Sequence, residues 1–320
     1  MAEDSNTVSA GGALFGKLKA LGVDYVFANS GTDFPPIIEG LIEARDQGIE
    51  LPQAITVPHE HVAVGMAHGY YQISGRCQAV MLHTNVGLAN AATGAINAAC
   101  DQIPMFLMSG RTPVTESGRF GARTVPIGWG QEMYDQTSLV RETTKWDYEL
   151  RFPEQVAPVL ERGWSIANST PKGPVYLSLP REVLCEPCPA DDLDKPSRMQ
   201  PAKTTPDRTA LQSAADALAT AKNPLIIAQR GTGSTQAFSA LQTMVEERAI
   251  PLSHYWANQL SLPMSSPMHV GWWPDQLLQE ADVILVINAL APWWPDRASP
   301  DPDATVIQLG PDPLFARSSP

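Results

Sequence analysis

The sequence predicts an α/β protein made of two doubly wound parallel-sheet domains in tandem. Three observations carry this prediction. Short apolar runs alternate with longer helical patterns along the whole chain. Polar, glycine-containing turns follow several of those runs, where ligands bind at the carboxyl ends of parallel strands. At 320 residues the chain exceeds a typical single domain.

The elements follow in order. Residues 9 to 21 have a helical pattern, with Leu14, Leu18 and Leu21 on one face, and Gly22 ends it. Tyr25 to Ala28 is a short strand that leads into N-S-G-T (Asn29 to Thr32), and Pro35 and Pro36 start the next helix. Ala54 to Val57 is a strand. His59 to Tyr71 is a helix with small or apolar residues on most sides, expected to be buried nearly all round. Ala79 to Leu82 runs into the turn H-T-N-V-G (His83 to Gly87), and Asn90 to Ala99 is helical. Met105 to Met108 ends in S-G-R-T-P, and G-P-V-Y-L-S-L-P (Gly173 to Pro180) is the last strand of the first domain.

From Cys185 to Pro206 the chain is rich in Pro, Asp and Lys, as a linker is. Domain boundaries are therefore expected at 1–184 and 207–320, with 185–206 between them. Thr205 is the expected cap of a helix with Pro206 at its first position, and Leu211, Ala214, Ala215 and Leu218 line its face. Leu225 to Ala228 is a strand, followed by Q-R-G-T-G (Gln229 to Gly233) and a helix near Phe238 to Arg248. Asp282 to Asn288 and Thr305 to Leu309 are two more strands. The chain stops soon after G-P-D-P (Gly310 to Pro313), without a closing helix, which suggests a truncation or a protein split into subunits.

Apolar residues make up 43% and charged residues 18%, enough for packed cores and unlike a disordered chain. A net charge of −12 repels phosphate backbones, so no nucleic-acid partner is expected. No apolar run reaches the length of a membrane span, and the polar start M-A-E-D-S-N-T-V-S-A-G-G lacks the basic and apolar regions of a signal peptide. A cytoplasmic protein is expected. Cys185 and Cys188 form C-x-x-C with no second ligand pair at zinc spacing, so they read as two reduced thiols.

Two residues stand out chemically. P-H-E-H (Pro58 to His61) is not a zinc-protease motif, because that chemistry needs H-E-x-x-H to bring two imidazoles to one helix face. His59 and His61 are two positions apart and point in different directions. Glu60 lies at the entry to an apolar helix. It is either a partly buried carboxylate suited to proton transfer, or a helix-terminal acid facing solvent. His83 directly follows an apolar strand. It is either an acid–base group or a loop imidazole satisfied by backbone. Q-R-G-T-G is either a phosphate-approaching loop or an ordinary strand-to-helix turn.

The order of these pieces resembles a known family. P-H-E-H-V-A-V-G-M-A-H-G-Y-Y-Q-I-S-G-R, then N-A-A-C-D-Q-I-P-M-F-L-M-S-G, K-W-D-Y-E-L and G-P-V-Y-L-S-L-P resemble the thiamine-diphosphate enzymes of the acetolactate synthase, pyruvate decarboxylase and benzoylformate decarboxylase superfamily. The likeness is strong over the first 180 or so residues and looser after about 205. It implies an N-terminal pyrimidine-binding domain followed by a central domain.

Several roles follow from the resemblance. Glu60 matches the acid that bonds the cofactor's aminopyrimidine N1′ and so promotes loss of the thiazolium C2 proton. The resulting ylid attacks the carbonyl of a 2-oxo acid, and carbon dioxide leaves. Asn29, Gly31, Thr84, Asn85, Gly87 and Asn90 would join Glu60 around the cofactor. Benzoylformate decarboxylase is nearest at the turns: N-S-G-T resembles N-P-G-S, and L-H-T-N-V-G resembles L-H-S-A-A-G. Thr32 then stands where a substrate-binding serine stands, and His83 where a proton-shuttling histidine stands. Thr32 is bulkier than serine, and Asn85 and Val86 replace small residues. G-Q-E (Gly130 to Glu132) and the second domain resemble acetolactate synthase instead, so a carboligase is the alternative. A non-catalytic assembly subunit is a further one. Some relatives hold FAD in the second domain, but Q-R-G-T-G is too degenerate to imply a flavin. The family's G-D-G…N motif for Mg²⁺ and the diphosphate does not occur in these residues. The resemblance thus implies a missing diphosphate-binding domain or subunit, a homodimer or tetramer, and no activity without that domain.

Overall fold

The computed structural model describes residues 6–312. The first five residues of the polar N-terminal stretch, and Pro313 of the G-P-D-P turn, lie outside them. The chain divides after Lys203 into two compact units.

The first unit contains β1 (Thr7–Ser9), α1 (Ala10–Ala20), β2 (Tyr25–Ala28), α2 (Pro35–Asp46), β3 (Gln53–Thr56) and α3 (Glu60–Ser74). It continues through β4 (Gln78–Leu82), α4 (Thr84–Cys100), β5 (Met105–Arg111), the short α5 (Ile127–Gly130), β6 (Asp147–Glu149), α6 (Val156–Asn168), β7 (Val175–Pro180), the short α7 (Arg181–Leu184) and β8 (Pro187–Pro189). Six strands form one parallel sheet in the order β3-β2-β4-β5-β7-β6. Alternation along the strands divides the core. Val26, Ala79, Met81, Phe106 and Met108 face α1, α2 and α6, while Phe27, Val80, Leu82, Met105 and Leu107 face α3 and α4. Both faces are covered, as the continuous apolar strands require.

Local signals explain the helix limits. Ser9 caps α1 by accepting from the Gly12 N–H, and Gly22 leaves it at φ 87°. The His59 imidazole caps α3, and Gly75 closes it in the left-handed region. Leu14 and Leu18 of α1 are fully buried, worth about 1.5–3 kcal/mol each.

Three expectations change in this unit. H-T-N-V-G is no turn, because α4 already begins at Thr84, with only His83 between it and the end of β4 at Leu82. Helix α3 is not buried all round. It packs Ala63, Val64 and Ala67 inward, while Val62, Met66 and Ile73 are exposed, Ile73 at 91%. The expected linker is largely part of this unit. Pro187–Pro189 pairs antiparallel with Thr7–Ser9, and the buried Lys17 holds residues 192–195 through the Asp192 and Lys195 carbonyls while bridging Glu161 at 2.7 Å.

The second unit contains α8 (Arg208–Thr220), β9 (Pro224–Ala228), α9 (Thr235–Arg248), β10 (Leu252–Ser253), α10 (Asp275–Glu280), β11 (Val283–Ile287) and β12 (Thr305–Leu309). Its sheet is parallel, in the order β10-β9-β11-β12. Helix α9 packs on the face of Ile226, Ala228, Leu285 and Ile287, and α10 on the face of Leu225, Ile227, Ile284 and Val286. Asp207, not Thr205, caps α8: its carboxylate accepts from the Ala210 N–H at 3.0 Å, leaving Pro206 outside the helix. Of the face expected on α8, Leu218 packs against the core, whereas Leu211 is 52% exposed. No helix among the described residues is long and apolar enough to cross a membrane.

Candidate active site

The chain steps from β2 to β3 on one side and then to β4 on the other. This reversal makes the carboxyl ends of β2 and β4 a topological switch point, where open α/β sheets bind ligands. The turn after β2 carries Asn29 to Asp33, and the junction after β4 carries His83 and Thr84.

At this point a carboxylate absent from the sequence reading takes the central position. Asp33 is buried at 3% exposure. Its Oδ1 lies 2.5 Å from His83 Nδ1, and its Oδ2 accepts from the Thr84 N–H at 3.2 Å. The pairing holds a proton on Nδ1 and leaves Nε2 to work. The Asp33 hydrogen bond raises the His83 pKa above its ordinary value. Burial opposes the rise, and the charges of Asp33 and Glu60 add to it. The signal for Asp33 was its place, directly after N-S-G-T and at the end of an apolar strand.

Two glycines make room for this pair. A Cβ on Gly31 would lie 2.2 Å from the His83 ring, and one on Gly110 would lie 1.6 Å from Asp33 Oδ2. Beneath them Gln136 donates to the Gly110 carbonyl at 2.9 Å and to the buried Ser109 and Tyr176 hydroxyls, fixing the end of β5. Thr84 adopts φ 40°, which a β-branched residue rarely does. Its bond to Asp33 helps to hold that strained conformation.

Glu60 forms the second part of the site. Its side chain is 11% exposed at the start of α3. Asn90 of α4 donates to its Oε2 at 3.1 Å. A Cβ on Gly87 would lie 3.4 Å from Oε1, so this carboxylate sits against bare backbone. The protein supplies Oε1 with no donor among the hydrogen bonds of the described residues. A buried carboxylate with one oxygen anchored and the other uncommitted fits a ring nitrogen that carries or accepts a proton. The residues therefore fit a pyrimidine at this point.

The other expected residues divide. Thr32 is exposed and lines a cleft beside His83. Thr84 lines the same cleft, and its hydroxyl contacts Gln131 Oε1 at 3.3 Å and Asn85 Oδ1 at 3.4 Å. Asn29 is engaged inside the sheet: its side chain donates to the Val57 carbonyl and its N–H to the Met81 carbonyl, tying β2 to its neighbours. His59 serves as a helix cap through its contact with the His61 N–H. The thiols of C-x-x-C are unpaired to each other, and burial pushes the Cys188 thiol up to about 11. Q-R-G-T-G follows β9 in the second unit, where Gly231 packs against the Gln259 side chain.

Comparison with known proteins identifies the family. The profile described as "Thiamine pyrophosphate enzyme, N-terminal TPP binding domain" matches residues 8–139, and "Thiamine pyrophosphate enzyme, central domain" matches residues 211–319. The probable 2-ketoarginine decarboxylase AruI of Pseudomonas aeruginosa is 30% identical over 89% of this chain and 49% of its own length. The acetolactate synthase large subunit of Lactococcus lactis is 26% identical over 85% of this chain and 46% of its own. The chain thus spans about half the length of the curated relatives it matches. A solved structure of the thiamine diphosphate-dependent 4-hydroxybenzoylformate decarboxylase of Rhodococcus jostii RHA1 superposes with a TM-score of 0.81 at 21% identity, over 98% of this chain and 58% of that one. The protein belongs to the thiamine pyrophosphate enzyme family, whose N-terminal and central domains it carries.

Proposed function

We propose that this chain supplies the pyrimidine half of the active site for decarboxylation of a 2-oxo acid, in the manner of a benzoylformate decarboxylase. The observation that carries the reading is Glu60, a buried carboxylate anchored by Asn90 on one oxygen and uncommitted on the other. Thiamine diphosphate, when bound, supplies the electron sink for loss of carbon dioxide. Glu60 holds the proton at the pyrimidine nitrogen, and the low-dielectric pocket keeps that interaction strong. Thr32 and His83 face the substrate. His83, held through Nδ1 by Asp33, moves a proton at Nε2.

Mg²⁺ and the diphosphate belong to a domain outside these residues, and none of the side chains here is assigned to them. A covering domain or subunit is supported by the apolar outer faces of α3 and α4. Val62, Met66, Ile73, Val86 and Ile96 are all exposed on these two helices, which also carry Glu60 and Asn90. A homodimer or tetramer meets that need.

The test is Glu60→Gln in an enzyme that includes the diphosphate-binding domain. Turnover is expected to fall by at least two orders of magnitude with the fold intact, as general acid–base groups contribute about 10²–10⁴-fold. Near-normal rates would remove Glu60 from the mechanism. Products from pyruvate decide between lyase and carboligase, with acetaldehyde expected and acetolactate pointing to the synthase.

A further inference from the structure

We propose that the cleft beside His83 seats a second carboxylate of the substrate, so that the enzyme acts on a dicarboxylic 2-oxo acid, with Arg181 as the residue that selects it. The inference rests on the functional reading above and names its substrate class.

The cleft opens at the carboxyl ends of β2, β4, β5 and β7, and Thr32, Thr84, Arg111, Arg123, Gln131 and Arg181 line it. Three guanidiniums in one narrow cleft call for anions, and the protein supplies them unevenly. Arg111 bridges Glu132 at 2.6 Å and Glu149 at 2.9 Å. Arg123 shares Glu132 at 2.6 Å. Asp33 also lines the cleft, but it is committed to His83 and Thr84. Arg181 donates only to carbonyls: to Gly121 at 2.7 Å, to Thr32 at 3.3 Å and to Ala122. Its charge has no carboxylate within ion-pair distance among the described residues.

A guanidinium has five N–H groups, and these three bonds leave two unused. Its planar fork matches a carboxylate on two parallel bonds, and a flat carboxylate suits a narrow cleft. Further donors stand nearby. Arg111 Nε is buried with no acceptor, and the Gln131 amide accepts from Thr84 through its oxygen, which leaves its NH₂ to donate. The bond from Arg181 to the Thr32 carbonyl sets the guanidinium one residue from Asp33, and Asp33 touches His83. A substrate with its keto group at His83 and a short acidic side chain can therefore reach Arg181.

The test compares 2-oxoglutarate with 2-oxoglutaramate, which has the same shape with an amide in place of the distal carboxylate. In the enzyme with its diphosphate-binding domain, kcat/KM is expected to favour the diacid at least tenfold. Arg181→Gln should lower that diacid-to-amide ratio at least tenfold, and Arg181→Lys should restore part of it. A ratio near one in the unaltered enzyme, or equal losses on both substrates in Arg181→Gln, overturns the proposal. A second readout needs no turnover. Glutarate titrated into the 320-residue chain should shift the Thr32 and Thr84 amide resonances, whereas butanoate should not, and Arg181→Gln should abolish the shift. If glutarate binds but no 2-oxo acid is turned over, the carboxylate site stands and the decarboxylase reading fails. If glutarate leaves those resonances unmoved, the site fails, whatever the enzyme does with pyruvate.

Discussion

Replacing Asp33 by Asn tests whether the carboxylate sets the state of His83. Asp33 is buried, and both its oxygens are engaged, by His83 Nδ1 at 2.5 Å and by the Thr84 N–H at 3.2 Å. The amide keeps the shape and one acceptor but loses the charge. The histidine bond is charge-assisted when the ring is protonated, worth about 1.5–3 kcal/mol against about 1 for a neutral one. Asp33→Asn is therefore expected to destabilise the chain by about 1–2 kcal/mol, and Asp33→Ala, which strands two buried donors, by about 2–5 kcal/mol. The sign with pH follows from the direction of the shift. The folded His83 pKa is raised, so its stabilising contribution is fully present below the unfolded value of about 6.5 and is lost as pH rises through the folded pKa. The difference between unaltered chain and Asn variant should be largest at mildly acid pH and shrink above neutrality. Urea denaturation at several pH values measures the stability, and imidazole ¹⁵N shifts follow the tautomer and titration of His83. A His83 titration unchanged by Asp33→Asn, or a stability gap that widens with rising pH, would refute the reasoning.

Three further substitutions probe the same unit. Gly31→Ala places a Cβ 2.2 Å from the His83 ring and should cost about 1–3 kcal/mol in urea denaturation, while the His83 pKa falls as the ring is pushed off Asp33. Thr84→Gly relieves the φ of 40° at the cost of glycine's larger chain entropy, and thermal melts should show a change from neutral to about 1 kcal/mol stabilising. A clear loss would mean that the threonine is not strained. Lys17→Met leaves Glu161 buried without its partner and should cost about 3–5 kcal/mol, with faster amide exchange across residues 190–198. The double variant Lys17→Met with Glu161→Leu should regain most of the stability, and no recovery would count against a buried ion pair.

The strands and their ends were legible because their signal is local. Short, mainly apolar runs bounded by glycine or polar residues mark β2, β4, β5, β7, β9 and β11 wherever they pair. Helix caps were read less well. Asp207 displaced Thr205 because a carboxylate at the right spacing reached the Ala210 N–H, and two polar residues on either side of Pro206 cannot be ranked by pattern alone. The exposure of α3 was misread for a physical reason. An apolar helix face shows that something covers it, but not whether the cover lies in the same chain. The 185–206 segment looked like a linker by composition, whereas Lys17, an apparently ordinary lysine in α1, holds part of it through backbone carbonyls.

The site itself depends on strand order, which no local pattern contains. Asp33 and His83 are fifty positions apart and meet because β4 is inserted next to β2 rather than next to β3. With that order in place, the turn after β2 lies against the junction after β4. The two glycines then acquire their purpose, since Gly31 and Gly110 are the points where an imidazole and a carboxylate press on backbone. Charge balance follows from the same adjacency. The ends of β5 and β7 add Arg111 and Arg181 to the rim, and Glu132 and Glu149 reach Arg111 alone of the two. Asp33 cannot compensate for the other, because release of Asp33 from His83 would free the imidazole tautomer. The fold thus spends its nearby carboxylates on the histidine and on two arginines, and the remaining positive charge faces the cleft at Arg181.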